Sequence, residues 1–375
     1  MKLLSANNTR FLLISMALGI LGISHVAAGN AQLDPVIDVE IEAEIEELEF
    51  DPGAFIFDHI ADAYDWHLFD IEDKHYSIPL PVILFTREKG LTVFMSDKFD
   101  HGHSDYKGFK IATEGPRKGK IVVAREDGSI DTEAAAPLDM SMTKNVVGML
   151  FAAIIMMSIF LSIGSRYKRQ PLEPPRGLQS LLEPLILFVI DDIVKPAIGN
   201  KKYEPFLPYL LTLFFFIWIN NMLGLIPIFP MGANVTGNIS VTAGLALTSF
   251  IVVNLSGNKH YWQHIFNTPN VPFFLKLPIP IMPLIELVGI ITKPLVLAVR
   301  LFANITAGHI ITMGFFTLIF IFGQVSPAFG YGGSILAVGF GIFITFLEFL
   351  VALIQSYVFT LLTSLFIAAA VDDGH

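Results

Sequence analysis

The sequence contains no cysteine and few charged residues. The absence of Cys from all 375 residues excludes thiol catalysis, cysteine-ligated iron–sulfur clusters and disulfides. Charged residues make up 15% of the chain and hydrophobic residues 53%, whereas an average soluble domain is roughly 25% charged. No basic stretch of the kind that binds nucleic acid is present. These values predict an all-α polytopic membrane protein whose acidic excess, a net charge of −10, lies outside the apolar runs.

Residues 1–28 have the pattern of a secretory signal peptide. Lys2 and Arg10 give a positive start, residues 11–23 an apolar core, and residues 26–28 a small-residue cleavage site. The alternative is an uncleaved N-terminal anchor. Cleavage is the favoured interpretation, and the mature chain would then start outside the cytoplasmic membrane of a bacterium.

Residues 29–142 are polar and acidic and predict a small extracytoplasmic domain that contains β-structure. Short β-rich runs at residues 78–86, 90–95 and 120–124 are separated by glycine-containing turn signals. Five histidines lie among carboxylates, which is compatible with a metal site: His59, His67, His75, His101 and His103. Their spacing matches no established metal motif, so solvated surface histidines are the favoured interpretation.

Apolar runs after this domain predict about five transmembrane helices within residues 143–375. The first three are residues 145–163, 206–228 and 238–255, and two longer runs cover 283–322 and 334–371. Arg166, Lys168 and Arg169 follow the first span and place that end in the cytoplasm. Five crossings then put the C-terminus in the cytoplasm.

The segments between these runs also carry predictions. Residues 177–198 predict an amphipathic or broken helix along the cytoplasmic interface. Residues 259–276 predict a cytoplasmic loop, and the uncharged, glycine-rich residues 323–333 an outer turn. The run 283–322 is roughly 60 Å long as a helix, against a hydrocarbon core of roughly 30 Å. It is either two short spans or one tilted helix that Pro294 kinks, and it forms a hairpin with the last run.

Arg300 lies in the middle of an apolar run, with Asn304 one turn later. An arginine at mid-membrane costs roughly 2.5–3.5 kcal/mol on insertion scales, and it cannot lose its proton to avoid that cost. Snorkelling to an interface is the alternative, but the mid-run position favours a functional charge that meets an anion, polar groups or water.

The last run carries Glu348 and Gln355, which lie seven residues apart and share a helix face. Arg300 and His309 lie nine residues apart on the preceding run. In an antiparallel hairpin this spacing brings Gln355 to the depth of Arg300, and Glu348 to the depth of His309. A histidine and a glutamate together in a membrane suit a proton relay, because histidine titrates near neutral pH. The alternative for Glu348 is a paired structural carboxylate.

Two further groups are candidate channel-lining residues. Glu286 and Lys293 share a face on the cytoplasmic side of Arg300, either along an access path or as interface anchors. Asn238, Ser240 and Thr242 bring amide and hydroxyl groups to the start of the third span. They line either a hydrated vestibule or an ordinary helix–helix contact.

At these residues the sequence resembles subunit a of the F-type ATP synthase, the membrane stator beside the rotating c-ring. The resemblance covers residues 143–371. It rests on Lys293-Pro294, on Arg300-Leu-Phe-x-Asn304, on Ala307-Gly308 and on Gln355. Many members have a glutamate after Ala-Gly and a histidine in the last helix. Here His309 and Glu348 exchange those two places. Many members also have Asp and Asn where this chain has Asn238 and Ser240.

The resemblance implies that Arg300 faces a rotor carboxylate, with Asn304 and Gln355 as polar neighbours. It implies partners in the c-ring, the peripheral-stalk b subunits and the rest of the synthase, with no cofactor. The chain has no phosphate-binding loop and is not expected to be an enzyme on its own. The alternatives are a sodium-translocating version of the same subunit, or a secondary transporter with an intramembrane arginine.

Overall fold

The computed structural model describes residues 51–71, 74–113, 117–125, 129–131, 134–169, 174–226, 228–266 and 281–372. The predicted signal peptide, residues 1–28, lies outside these residues, as does the stretch 29–50. The described chain has a small β-rich part followed by long apolar helices. This confirms the predicted class, a mostly helical polytopic membrane protein with a small β-containing N-terminal part.

The β-rich part holds one short helix and several short strands in the residues described. They are α1 (Pro52–Ile60), β1 (Asp65–Ile71), β2 (Lys74–Pro79), β3 (Pro81–Thr86), β4 (Gly90–Met95), β5 (Phe109–Ile111), β6 (Ile121–Val123) and β7 (Leu138–Asp139). The strands form antiparallel sheets in the orders β1–β2, β4–β3–β7 and β5–β6. The period-two pattern of β3 buries Val82 and Leu84 against Phe99 and Phe109.

The sequence predicted part of this region. Residues 90–95 match β4, the run 78–86 divides between β2 and β3, and 120–124 contains β6. Helix α1 and strand β1 were not predicted. Among the described residues, no group of three or more His, Asp or Glu side chains is arranged to hold a metal ion.

The helical part follows directly. Its elements are α2 (Lys144–Arg169), α3 (Leu178–Phe188), a π-helical stretch (Val189–Val194), α4 (Lys195–Ile198), α5 (Leu207–Gly224), α6 (Ile239–Ser256), α7 (Lys259–Phe266), α8 (Ile281–Val325) and α9 (Pro327–Val371). In the described ranges, α2, α5, α8 and α9 are long and apolar enough to cross a membrane. Helices α6 and α7 make a fifth crossing if the pair, bent by 104°, is one broken span.

Of the predicted connections, one matches the structure and another differs in part. The segment 177–198 is a broken helix, since α3 and α4 are joined by the π-helical stretch, and Ile193 and Ile367 are fully buried in a shared core. The predicted loop at 259–276 is wrong for its first half, because α7 occupies Lys259–Phe266. Residues 267–276 of that predicted loop lie outside the described residues.

Helices α8 and α9 are each 45 residues long, and Ser326 alone separates them. The predicted glycine-rich turn at 323–333 is therefore right in its position and wrong in its length, because the turn is at Ser326 and the residues on both sides of it are helical. The Ser326 side chain accepts a hydrogen bond from the Phe329 N–H at 3.3 Å and caps α9. Of the two alternatives for the first long run, two short spans are excluded, because α8 continues through Pro294 without a break.

The β-rich part contacts the helices through the start of β1 and the residues just before it. The Trp66 side chain is 4% exposed, and it packs with Ala233 and Val235 from the connection between α5 and α6. At the start of α2, the Lys144 N–H donates to the Ala63 carbonyl at 2.9 Å, and the Asn145 N–H donates to an Asp62 carboxylate oxygen at 3.0 Å. These contacts join the two parts through both packing and backbone hydrogen bonds.

Candidate functional site

A cavity of about 340 Å³ lies between α8, α9 and the C-terminal end of α5. Its polar lining is Asn221 from α5, Asn304 and His309 from α8, and Glu348 and Gln355 from α9. The antiparallel packing of α8 and α9 thus brings four of the five predicted translocation residues to one space. The fifth, Arg300, does not line this cavity.

Glu348 is held at the surface of α8 by two contacts. The Thr312 hydroxyl donates to Glu348 Oε1 at 3.3 Å. A Cβ atom on Gly308 would lie 2.5 Å from the same oxygen and 3.2 Å from Cδ, so the carboxyl group rests against the bare Cα of Gly308. Because the glycine of the Ala-Gly motif has no side chain, the Glu348 carboxylate can occupy the space next to it. Thr312 was missed in the sequence, since nothing in the sequence fixes the offset between the two helices.

His309 is oriented by backbone carbonyls. Its Nδ1 lies 3.1 Å from the Ile305 carbonyl oxygen, one turn earlier on α8, and its ring lies near the Gly224 carbonyl at the end of α5. The described residues give no direct hydrogen bond between His309 and Glu348. The two side chains share the cavity, so proton exchange between them requires water or a side-chain movement.

Arg300 lies on α8 one turn before Asn304 and is exposed. Its neighbours Leu297 and Leu301 are buried in the core between α5, α6, α8 and α9, so the arginine points away from that core. Within the described ranges, no side chain forms an ion pair with Arg300. A guanidinium in the middle of an apolar helix requires such a partner, and the geometry leaves it open to a group from outside this chain.

Asn238, Ser240 and Thr242 lie in the first turn of α6, where they make local hydrogen bonds. Asn238 caps the helix, because its side chain accepts from the Ser240 N–H at 2.9 Å. The Thr242 hydroxyl is fully buried and donates to the Ile239 carbonyl at 3.1 Å. The Ser240 residue is exposed. These contacts are structural, and a channel role for the three residues stays a prediction.

Three buried asparagines lie near the C-terminal end of α5, and one of them, Asn221, lines the cavity. Asn220 and Asn221 end α5 and Asn234 lies in the loop after it, and all three are at most 6% exposed. The Thr236 hydroxyl donates to Asn221 Oδ1, but Asn220 Oδ1, Asn221 Nδ2 and Asn234 Nδ2 have no partner in the described protein. Buried polar atoms of this kind are places where ordered water binds. Asn234 was missed in the sequence because its burial depends on how the loop folds.

Lys293 and Glu286 lie on α8 on the other side of Arg300 from the cavity. The Lys293 ammonium is 5.6 Å from the centroid of the Phe366 ring. It lines a second, narrow cavity of about 30 Å³ together with Asn254 and Tyr261, a volume that suits about one water molecule. Glu286 is half-buried and lies within electrostatic range of Tyr261.

Comparison with known proteins identifies the family. The family described as ATP synthase A chain matches residues 146–368, more than half of the 375 residues. This chain belongs to the ATP synthase subunit a family. A separate family, described only as a domain of unknown function, matches residues 55–140. The subunit-a match thus covers the helical part, and the β-rich part is a different module.

Individual relatives agree with this assignment. The protein named ATP synthase subunit a 2 from Chlorobaculum tepidum is 42% identical over 248 residues, which cover 64% of this chain and 66% of that protein. ATP synthase subunit a from Chloroherpeton thalassium is 41% identical, over 63% of this chain and 70% of that protein. The subunit a of Myxococcus xanthus is 39% identical, over 64% of this chain and 75% of that protein.

Proposed function

We propose that this chain is the membrane stator subunit that provides two proton half-channels to a rotating c-ring. The observation that carries the proposal is the cavity between α8 and α9, where Glu348 and His309 lie together in the middle of long apolar helices. Ionisable groups at that depth are costly and mark ion pathways. The exposed Arg300 one turn beyond the cavity supplies the fixed charge that such a pathway needs.

The outer half-channel runs through the cavity. Protons reach it past the buried asparagines Asn220, Asn221 and Asn234, whose unpartnered amide atoms are suited to hold water. His309 and Glu348 then exchange the proton and deliver it to a rotor carboxylate. Because a protonated carboxyl is neutral, it enters the lipid at far lower cost than the carboxylate.

Arg300 separates the two half-channels. Its positive charge favours the ionised form of an approaching rotor carboxylate, so the proton leaves before the carboxylate passes. A guanidinium cannot itself carry the proton across, and it therefore blocks direct flow between the two sides. Asn304 and Gln355, which line the cavity next to it, are its polar neighbours in this mechanism.

The inner half-channel follows the opposite end of α8. Lys293 lines the narrow cavity with Tyr261, and Glu286 lies close by. These groups give a proton released near Arg300 a polar route to the cytoplasm. The width for about one water molecule suits a proton better than a hydrated cation.

The proposed orientation follows from charge. Arg166, Lys168 and Arg169 in the last turn of α2 lie on the cytoplasmic side, which puts residues 29–142 outside and the C-terminus inside a bacterial cytoplasmic membrane. Residues 1–28 would direct that export. ATP chemistry then belongs to other subunits, and the c-ring and the peripheral-stalk b subunits are the partners of residues 143–375.

The test replaces Arg300 by alanine in the complete synthase. In inverted vesicles, ATP-driven acidification should be lost while the complex still assembles, and passive proton leak should rise. Arg166→Ala is the matched control, since Arg166 is half-buried in the last turn of α2 and, among the described residues, its guanidinium donates to the Arg176 carbonyl at 3.2 Å. Normal pumping by Arg300→Ala would refute the mechanism. Pumping that requires sodium would identify the sodium-translocating version instead.

A further inference from the structure

The module of unknown function contacts the long helix α8 through its first helix, α1. Helix α1 packs along the outer part of α8, where the ring centroids of Phe55 and Phe320 are 6.2 Å apart. Phe320 follows His309 by eleven residues, about 16 Å of helix. The contact between α1 and α8 therefore begins well outside the cavity.

Helix α1 runs inward from that contact. His59 lies one turn after Phe55, with ring centroids 5.6 Å apart. His59 is close enough to His309 that a positive charge on one disfavours a positive charge on the other. Because Phe55 lies near Phe320 while His59 approaches His309, the last turn of α1 is the part nearest to the cavity.

The charged groups around His59 come from each element packed there. Lys144 faces it from α2, His67 from β1 and His309 from α8. Asp62 and Asp65 lie near Lys144 and act on its charge. The residue His59 keeps an exposed surface, so it is open to the outer solution on the way to the cavity.

The chemistry of this environment suits rapid proton exchange. Partial burial lowers the pKa of His59 below its usual 6.5, and electrostatic interactions with Lys144, His67 and His309 lower it further. The imidazole is thus mostly neutral at an outer pH of about 7. It can accept a proton and does not hold it strongly.

We propose that residues 52–142 roof the outer half-channel and that His59 is its first proton acceptor. The neutral ring binds a proton from the outer solution and releases the same proton to water or to a side chain on the His309 side, so it returns to its neutral form. This inference rests on the proposed function and extends it to the module that subunit-a similarity does not cover.

The test uses the complete synthase in liposomes, with the outer face of the subunit towards the lumen. ATP synthesis is driven by an imposed proton gradient and potential, at several lumen pH values and at low lumen buffer. His59→Ala should lower the rate at least threefold at near-neutral lumen pH and less at acidic pH. Imidazole loaded into the lumen should restore most of the rate, because it replaces the missing proton carrier.

Two other variants make the result specific. His103→Ala removes an exposed histidine elsewhere in the same module and should leave both the rate and its pH profile unchanged. His59→Gln keeps the size and polarity of the side chain and should match His59→Ala if proton transfer is the role. Wild-type rates for His59→Ala would overturn the inference. A loss that is equal at every pH and insensitive to imidazole would also overturn it, because it would indicate a packing role.

Arg300→Ala in the same liposomes keeps the two proposals apart. If Arg300→Ala abolishes synthesis and His59→Ala does not slow it, the half-channel mechanism stands and only the role of His59 fails. If Arg300→Ala synthesises ATP normally, the proposed function itself fails.

Discussion

At the residue scale, Gly308 determines where the Glu348 carboxylate can lie. An alanine Cβ at this position would come within 2.5 Å of Glu348 Oε1. That oxygen is the far end of a flexible side chain, so we expect the helices to stay folded while the carboxylate moves. Gly308→Ala should therefore reduce ATP-driven proton pumping several-fold without loss of assembled complex, as measured by acidification of inverted vesicles and by subunit content.

Gly314 is the matched control on the same helix. A Cβ there meets no atom within 4 Å, so Gly314→Ala changes helix propensity by the same amount and leaves Glu348 in place. We expect it to pump at the wild-type rate. Equal pumping by the two variants would show that the position of Glu348 against α8 does not matter for translocation.

Tyr64 makes the folding stability of the β-rich part depend on pH under alkaline conditions. Its hydroxyl donates to an Asp139 carboxylate oxygen, and burial, followed by that hydrogen bond, raises the pKa of Tyr64 well above its usual 10. The unfolded chain then loses this proton first, so stability is intact below about pH 10 and falls above it. Each further pH unit removes at most about 1.4 kcal/mol.

Alkaline unfolding of the β-rich part measures this effect. We expect the wild-type protein to lose thermal stability steeply above about pH 10 and Tyr64→Phe to show a shallower slope, with a lower stability at pH 7 because Asp139 loses its donor. Identical slopes would mean that the Tyr64 proton does not contribute.

The sequence predicted much of the site at this scale. Helical spacing was enough to place His309, Glu348 and Gln355 at one cavity, because seven- and nine-residue separations fix depth along a helix. It could not predict Thr312 as the partner of Glu348. A hydrogen bond between two helices depends on their rotation and offset, which the whole packed structure sets.

At the element scale, α8 and α9 approach each other most closely near their junction. A Cβ on Gly330 would lie 2.9 Å from the Gly323 Cα and 3.4 Å from its nitrogen, and these are backbone atoms that cannot move without separating the helices. Gly330→Ala should destabilise the hairpin by about 1–3 kcal/mol. We expect a lower midpoint in thermal unfolding of the purified subunit.

Gly332→Ala is the control for this contact, because a Cβ on Gly332 meets nothing within 4 Å. It should match the wild-type midpoint or rise slightly, since alanine favours a helix by up to about 1 kcal/mol over glycine. A lowered midpoint for both variants would attribute the effect to glycine itself and not to the contact with Gly323.

Most of the predicted turn at 323–333 is helical, with Ser326 between the end of α8 and the start of α9. Glycine disfavours a helix in water, and several glycines in a short stretch are typical of a turn. In an apolar environment every backbone group needs an internal hydrogen bond, and small residues let two helices pack closely. The low helix propensity of glycine therefore predicted too long a turn, whereas the length of each apolar run predicted the two helices.

At the scale of the whole molecule, two modules are joined by an apolar contact around Trp66 and by hydrogen bonds to the start of α2. Sequence patterns predicted both modules, because one is acidic with short β-runs and the other is dominated by long apolar runs. They did not predict how the modules meet. Trp66 is one of several aromatic residues near β1, and its burial against Ala233 and Val235 requires two segments that lie far apart in the sequence.

Trp66 is expected to hold the β-rich part on the helices. Its ring is edge-on to Phe229 at 5.2 Å, and truncation of a buried tryptophan costs about 3–5 kcal/mol. The chain has no cysteine, so a cysteine pair at Ala63 and Lys144, whose backbones hydrogen-bond at 2.9 Å, can report docking by disulfide formation. Adding Trp66→Ala to that pair should lower the crosslinking yield several-fold at fixed oxidant and time.

Trp262→Ala on the same paired-cysteine background is the control, since Trp262 lies on α7 and is 38% exposed. It should leave the yield unchanged. If Trp66→Ala crosslinks as well as the control, the hydrogen bonds of the Asp62 carboxylate and the Ala63 carbonyl to the start of α2 suffice to hold the module in place. A selective loss would instead make the tryptophan contact the main link between the β-rich part and the subunit-a helices, and thus what keeps α1 beside α8.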